Sequence, residues 1–217
     1  MLTLPSPMLA PEKARKPFTD SDWIYEIKHD GYRCIAGIGD AIASSAGSTG
    51  RVRLTTRTGG DCSGWFPEVA SALAELPGGL HVLDGEVCVL RADGTSDFNM
   101  LQERARRRRH FSGAPAVTYC VFDLVTHHGQ SIAHLPLTER KQLLQQLLAT
   151  VPKRAVLFVG ELPADAALFQ AMVGAGLQIE GVMAKHRRST YQPGVRSTDW
   201  AKIKRAGWQE GRRWRSR

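Results

Sequence analysis

Long apolar runs are missing from this chain. No stretch approaches the roughly 18 uninterrupted apolar residues that a membrane-spanning helix needs. The opening segment, MLTLPSPMLAPEKARKPF, places prolines where a secretory signal needs a continuous apolar core, so export is not expected. Cysteine is scarce as well. Cys34, Cys62, Cys88 and Cys120 lie far apart with no CxxC pair, a spacing that suits neither a disulfide framework nor a zinc site. Reduced, mostly buried thiols are expected instead. The seven histidines show no HxxxH and no His/Cys ligand spacing, so a zinc centre is not expected from them either. His127-His128-Gly129 reads as a hairpin turn. Acidic residues are in deficit, 21 against 29 basic ones, leaving a net charge of +8 and a pI of about 9.6. That balance favours a polyanionic partner such as nucleic acid.

The basic excess is uneven. Arg104, Arg106, Arg107, Arg108 and Arg109 form one cluster, and Arg205, Arg212, Arg213, Arg215 and Arg217 load the C-terminal end, where Trp208 and Trp214 lie among them. Such runs suit nucleic acid, and equally a solvated helix face and a tail, so chemistry has to decide. With 217 residues, 42% apolar and 23% charged, the chain has room for one sizeable core or two small ones.

Runs rich in Val, Ile and aromatics, bounded by Gly, Pro or Asp, predict strands over 23–28, 32–38, 51–56, 80–90, 117–125, 155–160, 180–185 and 200–205. Helical periodicity predicts helices over 67–76, 100–108, 138–148 and 165–173. Thr138 is placed to cap the third of these, although Lys141 three residues on makes no capping box. Leu143, Leu144, Leu147 and Leu148 form its core stripe. Residues 41–50, AIASSAGSTG, read as a loop between strands. Strands outnumber and intermingle with helices, which suggests an α+β domain on antiparallel sheets.

The segment Glu26-Ile27-Lys28-His29-Asp30-Gly31-Tyr32-Arg33 is the most informative. After it come Asp84-Gly85-Glu86, Phe122-Asp123-Leu124, Glu180-Gly181-Val182-Met183-Ala184-Lys185 and Trp200-Ala201-Lys202-Ile203-Lys204. These five blocks, in this order, resemble the nucleotidyltransferase motifs of the ATP-dependent DNA ligase and mRNA-capping superfamily, and are most similar to the ligase module of the bacterial end-joining enzyme ligase D. Arg57, Phe66-Pro67, Phe98, Leu101-Gln102, Leu137, Arg140-Lys141, Tyr191, Gly194 and Arg196-Ser197 agree with the same pattern. The resemblance implies a nucleotidyltransferase (ATP-grasp-like) domain over 1–205, with two antiparallel sheets flanked by helices and ATP in the groove between them, followed by a basic tail over 206–217. It also implies a bacterial cytoplasmic protein associated with the nucleoid.

The chemistry explains the residue types. In the family a lysine amine attacks the α-phosphorus of ATP, and by position that lysine is Lys28. A free lysine is unprotonated in only about one molecule in 2,500 at pH 7, so recovering that fraction is worth about 4–5 kcal/mol. Neighbouring cations and a bound metal disfavour the charged amine. The resemblance places Lys185, Lys202 and Lys204 at the phosphates, and Glu86 and Glu180 near the ribose and a divalent ion, Mg²⁺ or Mn²⁺. Asp30 orients the nucleophile in that pattern. Arg33 and Arg57 contact the ribose or the 5′-phosphate of a nick, Phe122 stacks on adenine, and Glu26 lies beside the adenine amino group. The implied partner is nicked or broken double-stranded DNA, with an end-joining partner or a separate DNA-clamping domain besides. Thirteen residues follow Lys204, too few for the oligonucleotide-binding barrel that a full ligase carries, so sealing by this chain alone is not expected. Two other readings stay open at this point: a ligase remnant that holds DNA ends without turnover, and an RNA ligase or guanylyltransferase.

Overall fold

Apolar side chains on both faces of residues 34–38 require cover on each side, and helices on one side with a second sheet on the other supply it. The protein is described by a computed structural model over residues 4–42, 51–149, 151 and 155–208. In chain order the strands are β1 (Trp23–Ile27), β2 (Tyr32–Ile38), β3 (Val52–Thr56), β4 (His81–Cys88), β5 (Thr118–His127), β6 (Gln130–Ser131), β7 (Val156–Phe158), β8 (Leu162–Pro163), β9 (Gly181–His186) and β10 (Trp200–Lys204). The helices are α1 (Pro67–Ala74), α2 (Phe98–Arg107), α3 (Leu137–Leu148) and α4 (Ala166–Gly174). The smaller sheet has the order β10-β9-β1-β8; the larger runs β3-β2-β4-β5-β6, with β7 also paired to β5. All pairs are antiparallel except β5 with β7.

The period of two along each strand sorts the core into layers. Cys34, Ala36 and Ile38 on one face of β2 join Phe66, Leu73 and Leu144 under α1 and α3. Ile35 on the other face joins Val82, Val125, Met8, Tyr191 and Trp200 between the two sheets. Beyond the smaller sheet, Tyr25, Val182, Ala184, Ala201 and Ile203 pack with Phe169 of α4. The α+β architecture of two sheets flanked by helices is therefore the one expected, and the four helices fall within two residues of their expected starts and ends.

Some local expectations fail. Thr138 does not cap α3: the N-cap is Pro136, which makes no side-chain bond, and the Thr138 amide donates to Arg187 O at 3.2 Å. The caps that do form are aspartates, Asp97 accepting from the Met100 amide at 3.1 Å and Asp165 from the Ala167 amide at 2.6 Å. Arg104 is not part of a surface patch. It is 1% exposed, donates to Trp65 O and Pro115 O, and forms a forked pair with Glu68. Arg106 and Arg107 are both paired with Glu103, so the cluster presents less free charge than its sequence suggests. Most of the expected loop, from residue 43 to 50, lies outside the described residues, as do Arg212, Arg213, Trp214, Arg215 and Arg217. His128 and Gly129 form the two-residue turn between β5 and β6, both at positive φ (46° and 82°), as that hairpin geometry requires.

Candidate active site

Lys28 lies where the chain leaves the smaller sheet and enters the larger, four residues before the start of β2. Gly31 makes this crossing possible, because a Cβ there would stand 2.1 Å from Val87 O. The turn is held by the Gly31 amide donating to Glu86 Oε1 (3.2 Å) and the Asp30 amide to Ser96 Oγ (2.8 Å). Gly181 performs the matching task on β9: a Cβ there would meet Ile203 O at 2.0 Å. Only glycine allows β9 and β10 that approach, and it sets Glu180 beside the end of β10. The Lys28 amide donates to Gly181 O at 3.0 Å. The Glu180 carboxylate then reaches Lys28 Nζ at 2.5 Å through one oxygen and Lys204 Nζ at 3.1 Å through the other. Three blocks distant in sequence meet at one carboxylate.

Residues two apart share a face, so Trp200 and Lys202 on β10, Met183 and Lys185 on β9, and Glu26 with Lys28 project from the same side of the smaller sheet. All six line a cleft, faced by Arg33, Glu86 and Phe122 from the larger sheet and by Arg57. It holds about 760 Å³ of empty space, its open mouth included. Of the residues singled out from sequence, Asp30 and Glu180 line a neighbouring cavity with Ser96, Asp97 and Arg205 rather than the cleft itself, and Lys204 lies outside the cleft lining, tied to Glu180.

The buried charges are paired, as burial demands. Glu26, 2% exposed, sits between Lys141 Nζ (2.6 Å) and Lys185 Nζ (2.7 Å). Lys185 is thus committed to Glu26, and its ammonium also lies 4.4 Å and 4.2 Å from the ring centres of Phe122 and Trp200. Burial pushes its amine below the usual lysine value. Arg33 is held by Asp84 through two bonds (3.0 and 2.6 Å), and Asp84 also accepts from Tyr191 Oη at 2.6 Å. Burial, then the Lys204 and Lys28 ammoniums, push Lys202 down. For Glu180, burial acts upward, but Lys28 and Lys204 outweigh it and hold the carboxyl below its ordinary value.

Sequence reasoning places Asp84, Lys141 and Trp200 within the motif blocks but gives them no role in this site. Trp200 was legible, two residues before Lys202 and hence on its face. The pairing of Lys141 with Glu26, 115 residues apart, leaves no trace in local pattern.

Glu86 supplies a pH prediction. Burial pushes its carboxyl up to about 7 from an ordinary 4.5, against the opposing pull of Lys28 and Arg33. The fold thus favours the protonated form: its contribution to stability is whole below 4.5 and is lost as the pH rises through 7. Ionisation then costs the nucleotide-free protein at most about 3 kcal/mol. Glu86→Gln is expected to melt with the parent near pH 4.5 and above it at pH 8. Thermal melts showing one constant difference across that range would refute the assignment.

Comparisons with known proteins bear on the family and the fold. The family model described as ATP dependent DNA ligase domain matches residues 3–204. The SPbeta prophage-derived DNA ligase-like protein LigB of Bacillus subtilis is 34% identical over 91% of this chain and 66% of its own length. The multifunctional non-homologous end joining protein LigD of Mycolicibacterium smegmatis is 32% identical over 97% of this chain, which spans 26% of that protein. Among solved structures, mycobacterial DNA ligase D complexed with ATP and MES superposes with a TM-score of 0.70 at 31% identity, over 92% of this chain and 60% of that one. The ligase domain of M. tuberculosis LigD gives 0.71 at 30% identity over the same shares. With its family model matched from end to end of the two sheets, the chain belongs to the ATP-dependent DNA ligase domain family, in which its relatives include the ligase module of bacterial LigD.

Proposed function

We propose that this chain carries out the adenylation chemistry of an ATP-dependent DNA ligase, with Lys28 as the nucleophile. The observation that supports it most is the convergence of Lys28 and Lys204 on Glu180, with Lys28 and Lys202 both lining the cleft. In the proposed step the deprotonated Lys28 Nζ forms a bond to the α-phosphorus of ATP as the bond to pyrophosphate breaks, and the amine's proton leaves to solvent. Lys202, Lys204 and Arg57 neutralise charge that grows on the phosphoryl oxygens. AMP then passes from Lys28 to the 5′-phosphate of a DNA nick or broken end. Asp30, which lies in the adjoining cavity, acts through the backbone turn that carries Lys28.

The cleft suits a nucleoside triphosphate. Phe122, Met183 and Trp200 offer flat apolar surface. Lys185 Nζ is fully buried and ion-paired with Glu26 at 2.7 Å; an ammonium has three N–H groups, and those not engaged by Glu26 are available to an acceptor on the base. Arg33, fixed by Asp84, faces the sugar. Glu86 and Glu180 are the hard oxygen donors that would hold Mg²⁺ or Mn²⁺, whose contribution is to neutralise phosphate charge. The relatives named for end joining favour DNA repair and recombination as its setting and double-stranded DNA as the substrate, with the clamp supplied by a further domain or partner.

Incubating the protein with α-labelled ATP and Mg²⁺ is expected to give a covalent protein–AMP adduct that survives denaturation and maps to the peptide containing Lys28. GTP is expected to label weakly, and nicked DNA to discharge the label better than nicked RNA. Absence of any adduct, with salt-sensitive DNA binding retained, would instead support the end-binding remnant.

A further inference from the structure

The spacing of histidines and cysteines along the chain offers no metal-ligand set, yet folding assembles one at the end of the larger sheet remote from the cleft. His81 opens β4, about 17 Å along the strand from Glu86. His127 closes β5, and His128 follows it in the hairpin turn. The ring centres lie 5.2 Å (His81–His127), 4.8 Å (His81–His128) and 4.2 Å (His127–His128) apart. One ligating nitrogen from each ring lies within 4.8 Å of the other two.

The second nitrogen of two rings is already engaged. His81 Nε2 is 3.3 Å from Pro77 O and His128 Nδ1 is 3.1 Å from Gly78 O. A carbonyl only accepts, so those nitrogens carry the protons. In the neutral rings the lone pairs then fall on His81 Nδ1 and His128 Nε2. Backbone carbonyls holding the outer N–H are the usual partners of metal-bound histidines, fixing tautomer and ring orientation. His81 is 0% exposed, and its Nδ1, like His127 Nδ1, is buried with no hydrogen-bond partner among the described residues. A buried polar nitrogen left unpaired is costly. Two of them beside a third imidazole define a place for an electrophile.

We propose that His81, His127 and His128 form a three-histidine site for a transition-metal dication, Zn²⁺ foremost, with its fourth position open to solvent on the His128 side. Imidazole nitrogens suit zinc, copper and nickel far better than magnesium. Zinc at about 2.0–2.1 Å from each nitrogen needs them roughly 3.4 Å apart, so binding would draw the three rings together from their present spacing of up to 4.8 Å. The Arg51 guanidinium that acts on His81 is itself paired with Asp40 at 2.9 Å. An occupied site would tie β4, the β5–β6 hairpin and the turn at Pro77 and Gly78 into one unit.

Co²⁺ is the probe, because its visible bands report ligand type. The full chain is expected to bind one Co²⁺ with imidazole-type ligand-field bands and no thiolate charge-transfer band. Zn²⁺ should displace it and raise the Tm. His128→Ala, at an exposed turn, should weaken binding by more than the ~10–100-fold that loss of an outer partner costs, and His127→Ala should do the same should His81→Ala fail to fold. Cys88→Ser, which dismantles the other gathering of metal-type ligands, His29 with Cys88 and Cys120, should leave binding intact. Thiolate bands abolished by Cys88→Ser and indifferent to His128→Ala would overturn the proposal, as would no binding of either metal up to about 100 µM, a dissociation free energy of only ~5–6 kcal/mol.

Discussion

Lys28→Arg is expected to fold like the parent and to accept no AMP at all. The guanidinium keeps a positive charge within reach of Glu180, so the ion pair that Lys28 makes there is retained. Lys204, on the other Glu180 oxygen, is undisturbed. What arginine lacks is a lone pair, since a guanidinium stays protonated at every pH the fold survives. The adduct should therefore vanish while the melting temperature moves little. Lys28→Ala should also abolish the adduct, but it leaves Glu180 with a single cation, so the pair of variants separates loss of nucleophile from loss of charge. Labelled AMP on Lys28→Arg would mean that another amine is the nucleophile, with Lys202 the first to examine.

The largest loss of stability is expected at Asp123. Both Asp123 and Arg140 are 0% exposed. The guanidinium donates to the two carboxylate oxygens at 2.8 and 2.9 Å and to Leu135 O and Ser189 O at 2.6 and 2.8 Å. Asp123→Ala leaves a buried cation with carbonyls only, which costs ~3–5 kcal/mol, or roughly 6–20 °C in Tm for a chain of this size. Replacing both partners, as in Asp123→Leu with Arg140→Met, removes the stranded charge and should recover most of the loss. A double variant as unstable as Asp123→Ala would show that the shape of the pair, rather than its charge, holds α3 to β5. Asp123 follows Phe122 directly, so nucleotide affinity is expected to fall with it.

Much of this was legible because it is local. The period of two that puts Trp200, Lys202 and Lys204 on one face of β10 can be counted in the sequence. Asp30-Gly31 and Glu180-Gly181 announce turns and close approaches, and the structure supplies the reason in the carbonyls of Val87 and Ile203 that leave no space for a Cβ. What was hidden depends on contacts between distant segments. Nothing near Glu26 foretells two ammoniums, one from α3 and one from β9. Nothing in a row of five arginines shows that Arg104 turns inward to Glu68 while its neighbours stay out. Asp30 is expected from sequence to orient the nucleophile, yet it lines the next cavity, on the far side of the turn at Gly31. The histidines failed the spacing test for metal ligands because their geometry is set by strand register, which aligns the start of β4 with the end of β5.

The crossing of the chain from one sheet to the other at residues 28–31 has a mechanical corollary. Lys28 rides on one plate and Phe122 on the other, and the spacer between the plates is the apolar set of Met8, Ile35, Val82, Val125, Tyr191 and Trp200. The reach from nucleophile to nucleotide is thus gauged by hydrocarbon thickness. Trimming or enlarging one of its aliphatic members, Ile35, Val82 or Val125, would retune the gap while every ionised group kept its own partner.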